Sequence, residues 1–203
     1  MSLFPMFLKL QGRPCLVVGA GKIGESKIRS LLVARARVHV VAPTVTPTVA
    51  TWERAGVLTW SARPFQPADL EAYFLVVAAT SSVDVNDAVY REAQSRRVLC
   101  NVVDDPERCD FFYPAVVRRG DLQVAISTAG NSPALAQRLR REFERQLAPV
   151  YAGWVESLGK LRKRLFANPL EAEYRRSLLH TAASRASFDS HSTRESLAQE
   201  NRP

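Results

Sequence analysis

Three glycines near the start of the chain have the G-x-G-x-x-G spacing that suits phosphate binding. Gly19, Gly21 and Gly24 follow an apolar run at residues 16–18, and residues 25–34 carry apolar side chains at helical spacing. In such a strand, turn and helix, the first glycine makes the turn, the second admits a pyrophosphate and the third lets the helix pack on the strand. The pyrophosphate meets the positive end of the helix dipole. The pattern predicts a dinucleotide site, with a purely structural turn as the alternative.

The residues after the second strand-like run do not decide between NAD and NADP. An acidic residue about 20 positions beyond the glycines usually reads the ribose 2′-hydroxyl. Here residues 38–41 lead into Ala42, Pro43 and Thr44 instead. We therefore expect the backbone to hold the ribose.

Two carboxylates, Asp104 and Asp105, follow the fifth strand-like run at residues 98–103. Ligands of a doubly wound sheet bind beyond the carboxyl ends of its strands, so a carboxylate there faces the nicotinamide end of a dinucleotide. It is then placed to act as a general base. The alternative is that these side chains only cap the turn before Pro106.

A polar loop at residues 127–132 is a second candidate site. It contains Ser127, Thr128, Asn131 and Ser132, and Pro133 follows it. Hydroxyls and free N–H groups ahead of a helix suit a substrate carboxylate. Ser132 followed by a proline is also an ordinary helix cap, and both interpretations stay open.

The histidines and cysteines of the chain do not indicate a metal site or a disulfide framework. The chain has three of each, without a C-x-x-C pair or a metal-ligand spacing, so we predict no metal site and no disulfide framework. No tyrosine is followed four residues later by lysine, which excludes the usual proton-donor pair of short-chain dehydrogenases.

Strand-like and helical runs alternate over the first half of the chain. The strand-like runs continue at residues 58–61, 73–79 and 98–103, and residues 73–79 are apolar throughout, as in a strand buried on both faces. The fold class we predict is α/β: an N-terminal Rossmann-type parallel sheet, followed by a small α+β region and a C-terminal helical region.

The pattern changes beyond residue 110. Two strand-like runs form a predicted hairpin, and from Pro133 onward Leu135, Leu139, Phe143 and Leu147 give a helix with one apolar face. Two basic amphipathic helices follow, and the polar end of the chain predicts disorder. The predicted divisions are residues 1–113, 114–148, 149–183 and a disordered tail at 184–203.

Composition and charge narrow the class of protein. The 203 residues are 46% hydrophobic, no apolar run reaches membrane-span length, and residues 1–10 lack a secretory signal, so we expect a soluble, cytoplasmic protein without a membrane partner. The net charge of +8 suits an anionic partner, although solvated helix faces explain it equally well. Because the arginines are spread over several helices, we expect no nucleic-acid partner.

Several motifs together resemble the precorrin-2 dehydrogenase family, the stand-alone form of the N-terminal half of siroheme synthase. The matching segments are F-P-M-F-L-K-L at 4–10, V-V-G-A-G-K-I-G at 17–24, A-A-T at 78–80, C-N-V-V-D at 100–104, F-x-x-P at 111–114 and A-I-S-T-A-G-N-S-P-A-L-A at 125–136. The resemblance covers about residues 3–165. It implies NAD-dependent oxidation of precorrin-2 to sirohydrochlorin and, in bifunctional members, Fe²⁺ insertion to give siroheme.

The resemblance also implies roles for particular residues. Asp104 falls on the aspartate that the family uses for dehydrogenation and, where present, iron insertion, and residues from Pro114 onward resemble its homodimerisation region. Bifunctional relatives often carry serine where this chain has Thr128. The sequence therefore leaves open whether this chain uses Fe²⁺ as a substrate. With Asp104 as the catalytic residue, the predicted substrate-binding residues are Ser127, Thr128, Asn131 and Ser132. The predicted NAD-binding residues are Gly19, Gly21, Lys22, Ile23, Gly24, Ala42, Pro43, Ala79, Thr80 and Val102.

Two rival functions remain from the sequence. One is a non-catalytic NAD-sensing module whose basic helices bind a partner. The other is an iron or cobalt chelatase whose Rossmann domain is vestigial.

Overall fold

The computed structural model of the protein describes residues 3–200, with side chains described for residues 3–192. The chain divides after Tyr113 into two compact units. Within the described residues, no helix is both long enough and apolar enough to cross a bilayer.

The first unit is built on a five-stranded parallel sheet with strand order β3-β2-β1-β4-β5. Its strands are β1 (Pro14–Ala20), β2 (Arg37–Val45), β3 (Thr59–Ser61), β4 (Leu75–Ala78) and β5 (Leu99–Val102). Its helices are α1 (Lys22–Val33), α2 (Pro47–Arg54) and α3 (Val83–Arg96). Because the order reverses at β1, the edge beyond β1 and β4 is the switch point where a doubly wound sheet binds ligands. The predicted α/β class is confirmed.

The core of this unit lies on both faces of the sheet, since successive strand residues point to opposite sides. On β1, Val17 packs in the cluster that contains Ile28 of α1, whereas Leu16 packs in the cluster that contains Val89 of α3. All four side chains are fully buried. The helices therefore pack on both apolar faces of the sheet, and this packing fixes the position of its carboxyl edge.

Up to residue 200, where the described chain ends, the second unit contains an antiparallel hairpin and four helices. The strands are β6 (Ala115–Arg119) and β7 (Leu122–Ile126), and the helices are α4 (Pro133–Gln146), α5 (Tyr151–Ala167), α6 (Ala172–Ala182) and α7 (Arg185–Glu200). Ser132 caps α4 by accepting a hydrogen bond from the Leu135 N–H, with Pro133 at the first helical position.

The structure differs from the expectation of a disordered tail at residues 184–203. Helix α7 occupies Arg185–Glu200, and residues 201–203 lie outside the described chain. The reason is one aromatic anchor: Phe188 is 6% exposed, with ring centroids 4.3 Å from Tyr151 and 4.9 Å from Trp154 of α5. The average composition of residues 184–203 is polar, so it gave no sign that Phe188 packs against α5.

A histidine on β2 is held between two hydroxyl groups in the first unit. His39 Nδ1 lies 2.6 Å from the Tyr73 hydroxyl, and its Nε2 lies 2.9 Å from Ser61 Oγ. Burial lowers the pKa of His39 from its ordinary value of 6.5, Asp69 opposes this shift, and Arg63 adds to it. The neutral imidazole is therefore the form that the fold prefers.

We predict that stability falls as the pH drops below about 6.5, because the unfolded chain then protonates His39 before the folded protein does. The loss of stability continues until the pH falls below the pKa that His39 has in the folded protein, and then stops. Urea unfolding at pH 7.5, 6.5 and 5.5 measures it. His39→Gln should flatten this dependence. Equal pH slopes for the wild type and His39→Gln would contradict this role.

Candidate dinucleotide-binding and active site

The turn after β1 requires glycine at two positions. Gly19 has φ +92°, and a Cβ there would lie 2.5 Å from the Ala79 carbonyl oxygen, so L-residues are excluded on conformation and on space. A Cβ at Gly24 would overlap the carbonyl oxygen of Gly19. These contacts draw the end of β1, the start of α1 and the end of β4 together.

Gly21 differs from the other two glycines because its surroundings are open. It has φ −70°, and an added Cβ would meet nothing within 4 Å. It is the N-cap of α1, and among residues 3–192 no side chain accepts a hydrogen bond from the N–H groups of the first turn. Lys22 and Ile23 follow it and are exposed. Space above a bare helix N-terminus fits the pyrophosphate of a dinucleotide.

The other predicted cofactor residues lie at the carboxyl ends of the neighbouring strands. Ala79 extends the pairing of β4 with β1 through its N–H bond to Val18 O, at 2.8 Å. The Thr80 hydroxyl is already committed within its own loop, to Asn86 Oδ1 at 2.8 Å and to the Ser82 carbonyl at 3.1 Å. We therefore expect Thr80 to contact a cofactor through groups other than its hydroxyl proton.

Two predicted cofactor residues are buried beneath this edge. Ala42 is 3% exposed and its carbonyl accepts the Trp60 indole N–H, while Val102 is 2% exposed. Pro43, beside Ala42, is exposed. Ala42 and Val102 therefore offer almost no surface to a cofactor in this conformation.

The two aspartates after β5 have different surroundings. Asp105 forms an ion pair with Arg108 at 3.3 Å, and its carbonyl accepts the Arg108 N–H, so it holds the turn. Asp104 is exposed, has φ +62°, and its carboxylate has no hydrogen bond or ion pair among residues 3–192. The Asp104 carboxylate is therefore available for a ligand, whereas Asp105 stabilises the turn.

Sequence reasoning missed Lys27, a partly buried cation on α1 that contacts an aromatic ring. The Lys27 ammonium lies 4.0 Å from the ring centroid of Tyr113. Burial lowers the pKa of Lys27, and the nearby charge of Asp104 opposes that shift. A signal was present, because Lys27 is three residues beyond Gly24 and therefore on the same side of α1.

The polar loop of the second unit uses its own side chains to hold its shape. Thr128 Oγ1 accepts the Ser132 N–H at 3.1 Å, Ser127 Oγ accepts the Ala129 N–H at 3.1 Å, and Asn131 donates to the Thr128 carbonyl. The four predicted substrate-binding residues thus lie together within one unit, whereas Asp104 and the glycines lie in the other. No group of three metal-ligating side chains occurs among the described residues.

A parallel sheet of this order, with a glycine turn at its switch point, defines a dinucleotide-binding protein of the Rossmann class. Residues 6–115 match the protein family described as "Putative NAD(P)-binding", and residues 119–146 match the family described as "Sirohaem biosynthesis protein central". The chain belongs to this NAD(P)-binding family, in the group that contains the siroheme synthases and precorrin-2 dehydrogenase. The predicted NAD-type cofactor is thereby confirmed.

Named relatives cover most of this chain. Siroheme synthase 1 of Aeromonas hydrophila is 42% identical over 177 residues, which are 87% of this chain and 38% of that protein. Siroheme synthase of Methylobacillus flagellatus is 45% identical over 74% of this chain, which corresponds to 32% of the length of that protein. The chain thus spans about a third of the length of these curated relatives. A solved structure named SirC, precorrin-2 dehydrogenase, matches 98% of both chains with a TM-score of 0.80 and 27% identity.

We predict that Gly21→Ala weakens NADH binding by about tenfold, or about 1.4 kcal/mol, without changing the melting temperature. The added methyl group occupies open space in the protein alone but lies where the pyrophosphate approaches. Fluorescence titration with NADH measures the effect. Gly159→Ala in α5 also adds a methyl group into open space and serves as the matched control. Unchanged NADH affinity in Gly21→Ala would remove the glycine turn from the binding site.

Proposed function

We propose that this chain catalyses the NAD-dependent dehydrogenation of precorrin-2 to sirohydrochlorin, a step of siroheme biosynthesis. The observation that carries the proposal is the similarity to a precorrin-2 dehydrogenase over 98% of both chains. The glycine turn and an uncommitted carboxylate at the same sheet edge support it.

The residues at the switch point fit the cofactor. Gly19 and Gly24 allow the close backbone approach that shapes the turn, and Gly21 leaves room for two phosphates beside the N–H groups of α1. When bound, the oxidised nicotinamide accepts one hydride from the substrate. We take NAD over NADP from the resemblance to the family, since no residue at the end of β2 decides it.

Asp104 is the proposed catalytic base. Conversion of precorrin-2 to sirohydrochlorin removes one hydride and one proton from the macrocycle, so a group near the cofactor has to receive the proton. Asp104 follows the last strand of the sheet and carries no hydrogen-bond partner in the described part of the chain. Its carboxylate is therefore the proposed first acceptor of that proton.

The substrate is a polycarboxylate, and the protein is positively charged, with a net charge of +8. Long-range attraction of this kind raises the rate of encounter. We propose that Ser127, Thr128, Asn131 and Ser132 form the substrate-binding loop. Their mutual hydrogen bonds make the loop rigid before substrate arrives, which lowers the entropy cost of binding.

An anaerobic absorbance time course with precorrin-2 and NAD tests the proposal. We predict NAD-dependent formation of the sirohydrochlorin spectrum, and a kcat about 10²- to 10⁴-fold lower in Asp104→Asn with NADH affinity unchanged. Asp105→Asn is the matched control, because it changes the neighbouring carboxylate that pairs with Arg108.

Two results would overturn these assignments. Full turnover by Asp104→Asn would remove Asp104 from the mechanism. NADH binding by the wild type without any conversion of precorrin-2 would favour the non-catalytic NAD-sensing module instead.

Insertion of Fe²⁺ into sirohydrochlorin is a second candidate activity, because the relatives are named for siroheme. Fe²⁺ would then be a substrate of the enzyme. Adding Fe²⁺ to the same time course distinguishes the cases: siroheme formed faster than in the enzyme-free control indicates iron insertion. Chelation without NAD-dependent dehydrogenation would favour a vestigial Rossmann domain.

We further propose a homodimer formed through the second unit. Leu135 and Phe143 lie eight residues apart on the apolar side of α4 and remain 38% and 37% exposed. A second copy of the chain would cover them. Light scattering should give twice the mass of the chain, and Phe143→Glu should shift the protein towards one copy. A monomeric wild type would exclude this dimer.

We also place the protein in the cytoplasm. Cys15 and Cys100 are buried free thiols with pKa values raised by burial, and Cys109 is also unpaired. Three unpaired cysteines suit a reducing compartment. Fractionation of cells that produce the protein tests this location.

A further inference from the structure

A carboxylate on α1 reaches the segment that follows β2. Glu25 lies in the first turn of α1, and its Oε2 accepts a hydrogen bond from the Thr46 hydroxyl at 2.7 Å. Thr46 comes directly after β2 and is the N-cap of α2. The Glu25 side chain is 19% exposed, so most of it is withdrawn from water. The end of β2 therefore has a carboxylate beside it, although no residue of β2 supplies one.

The same carboxylate is linked by contacts to the glycine turn. The Thr46 N–H donates to the Ala20 carbonyl at 3.2 Å, and Ala20 directly precedes Gly21. The Glu25 N–H donates to the Gly21 carbonyl at 2.8 Å. In a Rossmann-type site, the adenosine ribose lies between such a turn and the end of the second strand. Glu25 thus bonds to both of the elements that border the expected ribose position.

The Glu25 carboxylate also holds an arginine one turn further along α1. Arg29 Nη2 donates to Glu25 Oε1 at 2.8 Å, and the Arg29 guanidinium carbon lies 5.1 Å from the ring centroid of Trp52 in α2. An arginine near the end of the second strand is the group that accommodates the 2′-phosphate of NADP in proteins of this class. Here Glu25 compensates the charge of that arginine.

Glu25 keeps its charge and part of its capacity to accept hydrogen bonds. The hydrogen bond from Thr46 and the interaction with Arg29 lower the pKa of Glu25 from its ordinary value of 4.5, and burial opposes this shift. The carboxylate is therefore ionised at neutral pH. Each of its oxygen atoms has two lone pairs, so one bond to Thr46 and one to Arg29 leave acceptor sites for another hydroxyl.

We propose that Glu25 selects NAD against NADP. Its charge beside the end of β2 disfavours a 2′-phosphate, its remaining lone pairs suit a ribose hydroxyl, and its ion pair withholds Arg29 from a phosphate. Glu25 thereby supplies from α1 what an acidic residue at the end of β2 usually supplies. The inference rests on the proposed dinucleotide site and extends it to the choice between two cofactors.

Fluorescence titrations with NADH and NADPH test the charge of Glu25. We expect the wild type to bind NADH more tightly. Glu25→Gln keeps an oxygen atom for Thr46 and removes the charge, so the ratio of the NADPH to the NADH dissociation constant should fall about tenfold. An unchanged ratio in Glu25→Gln would overturn the proposal.

The chain offers a matched control on another helix. Glu92 of α3 also pairs with an arginine four residues later, Arg96, and its side chain is 22% exposed. Glu92→Gln therefore makes the same chemical change in the same kind of ion pair, and we expect it to leave the ratio at the wild-type value. An equal fall of the ratio in Glu92→Gln would show an effect of net charge and would overturn the proposal.

Two further variants separate charge from support of the loop. Glu25→Asp shortens the side chain but keeps the charge, and it should preserve most of the preference for NADH. If Glu25→Asp loses the preference as Glu25→Gln does, the role of Glu25 is structural and the proposal fails. In Glu25→Gln with Arg29→Gln, no freed arginine is left, and the gain in NADPH affinity should disappear. Retention of the full gain would exclude Arg29 from the selection.

The wild-type titrations also distinguish failure of the site from failure of this inference. If the wild type binds neither NADH nor NADPH, the proposed dinucleotide site is wrong. If it binds both equally, or NADPH more tightly, the site stands and Glu25 does not select NAD. None of these measurements uses precorrin-2, so a wild type without dehydrogenase activity would overturn the proposed reaction and leave the result for Glu25 intact.

Discussion

The site depends on the absence of two β-carbons in the turn after β1. Gly19 lies so close to the Ala79 carbonyl, and Gly24 so close to the Gly19 carbonyl, that neither position accepts a side chain. These contacts hold the ends of β1 and β4 close to the start of α1, at the switch point of the sheet. Gly21 lies between them in the chain, and a Cβ there would meet nothing within 4 Å.

The parallel sheet converts this local constraint into a site. Its strands are buried on both faces, so the helices fix every strand end in one edge. Residues far apart in the chain, such as Gly21 and Asp104, belong to the same edge for this reason. The edge contains backbone donors at α1 and a carboxylate beyond β5, which are the two kinds of group that a dinucleotide-dependent dehydrogenation uses.

Adjacent residues at the carboxyl edge of the sheet differ in their structural roles. Asp105 and Arg108 stabilise the turn after β5, whereas the Asp104 carboxylate has no hydrogen bond or ion pair among residues 3–192. Likewise, Thr80 uses its hydroxyl to hold the loop after β4. The Lys27 ammonium lies 4.0 Å from the ring centroid of Tyr113, and this contact fixes the position of the cation. Electrostatics at the edge therefore follow from the same contacts that stabilise the fold.

The sequence by itself determined the α/β class, the glycine turn and the strand ends that carry Ala79 and Asp104, because periodicity and glycine spacing are local properties of the chain. It also located the cap of α4 at Ser132. The family resemblance already favoured Asp104 over Asp105, but only the tertiary structure gave the physical difference between them, which is the ion pair of Asp105 with Arg108. The tertiary structure also placed Lys27 on Tyr113 and showed that Phe188 packs a helix where composition indicated disorder. Each of these depends on contacts between residues distant in the chain, and no local pattern encodes which of two neighbouring side chains finds its partner.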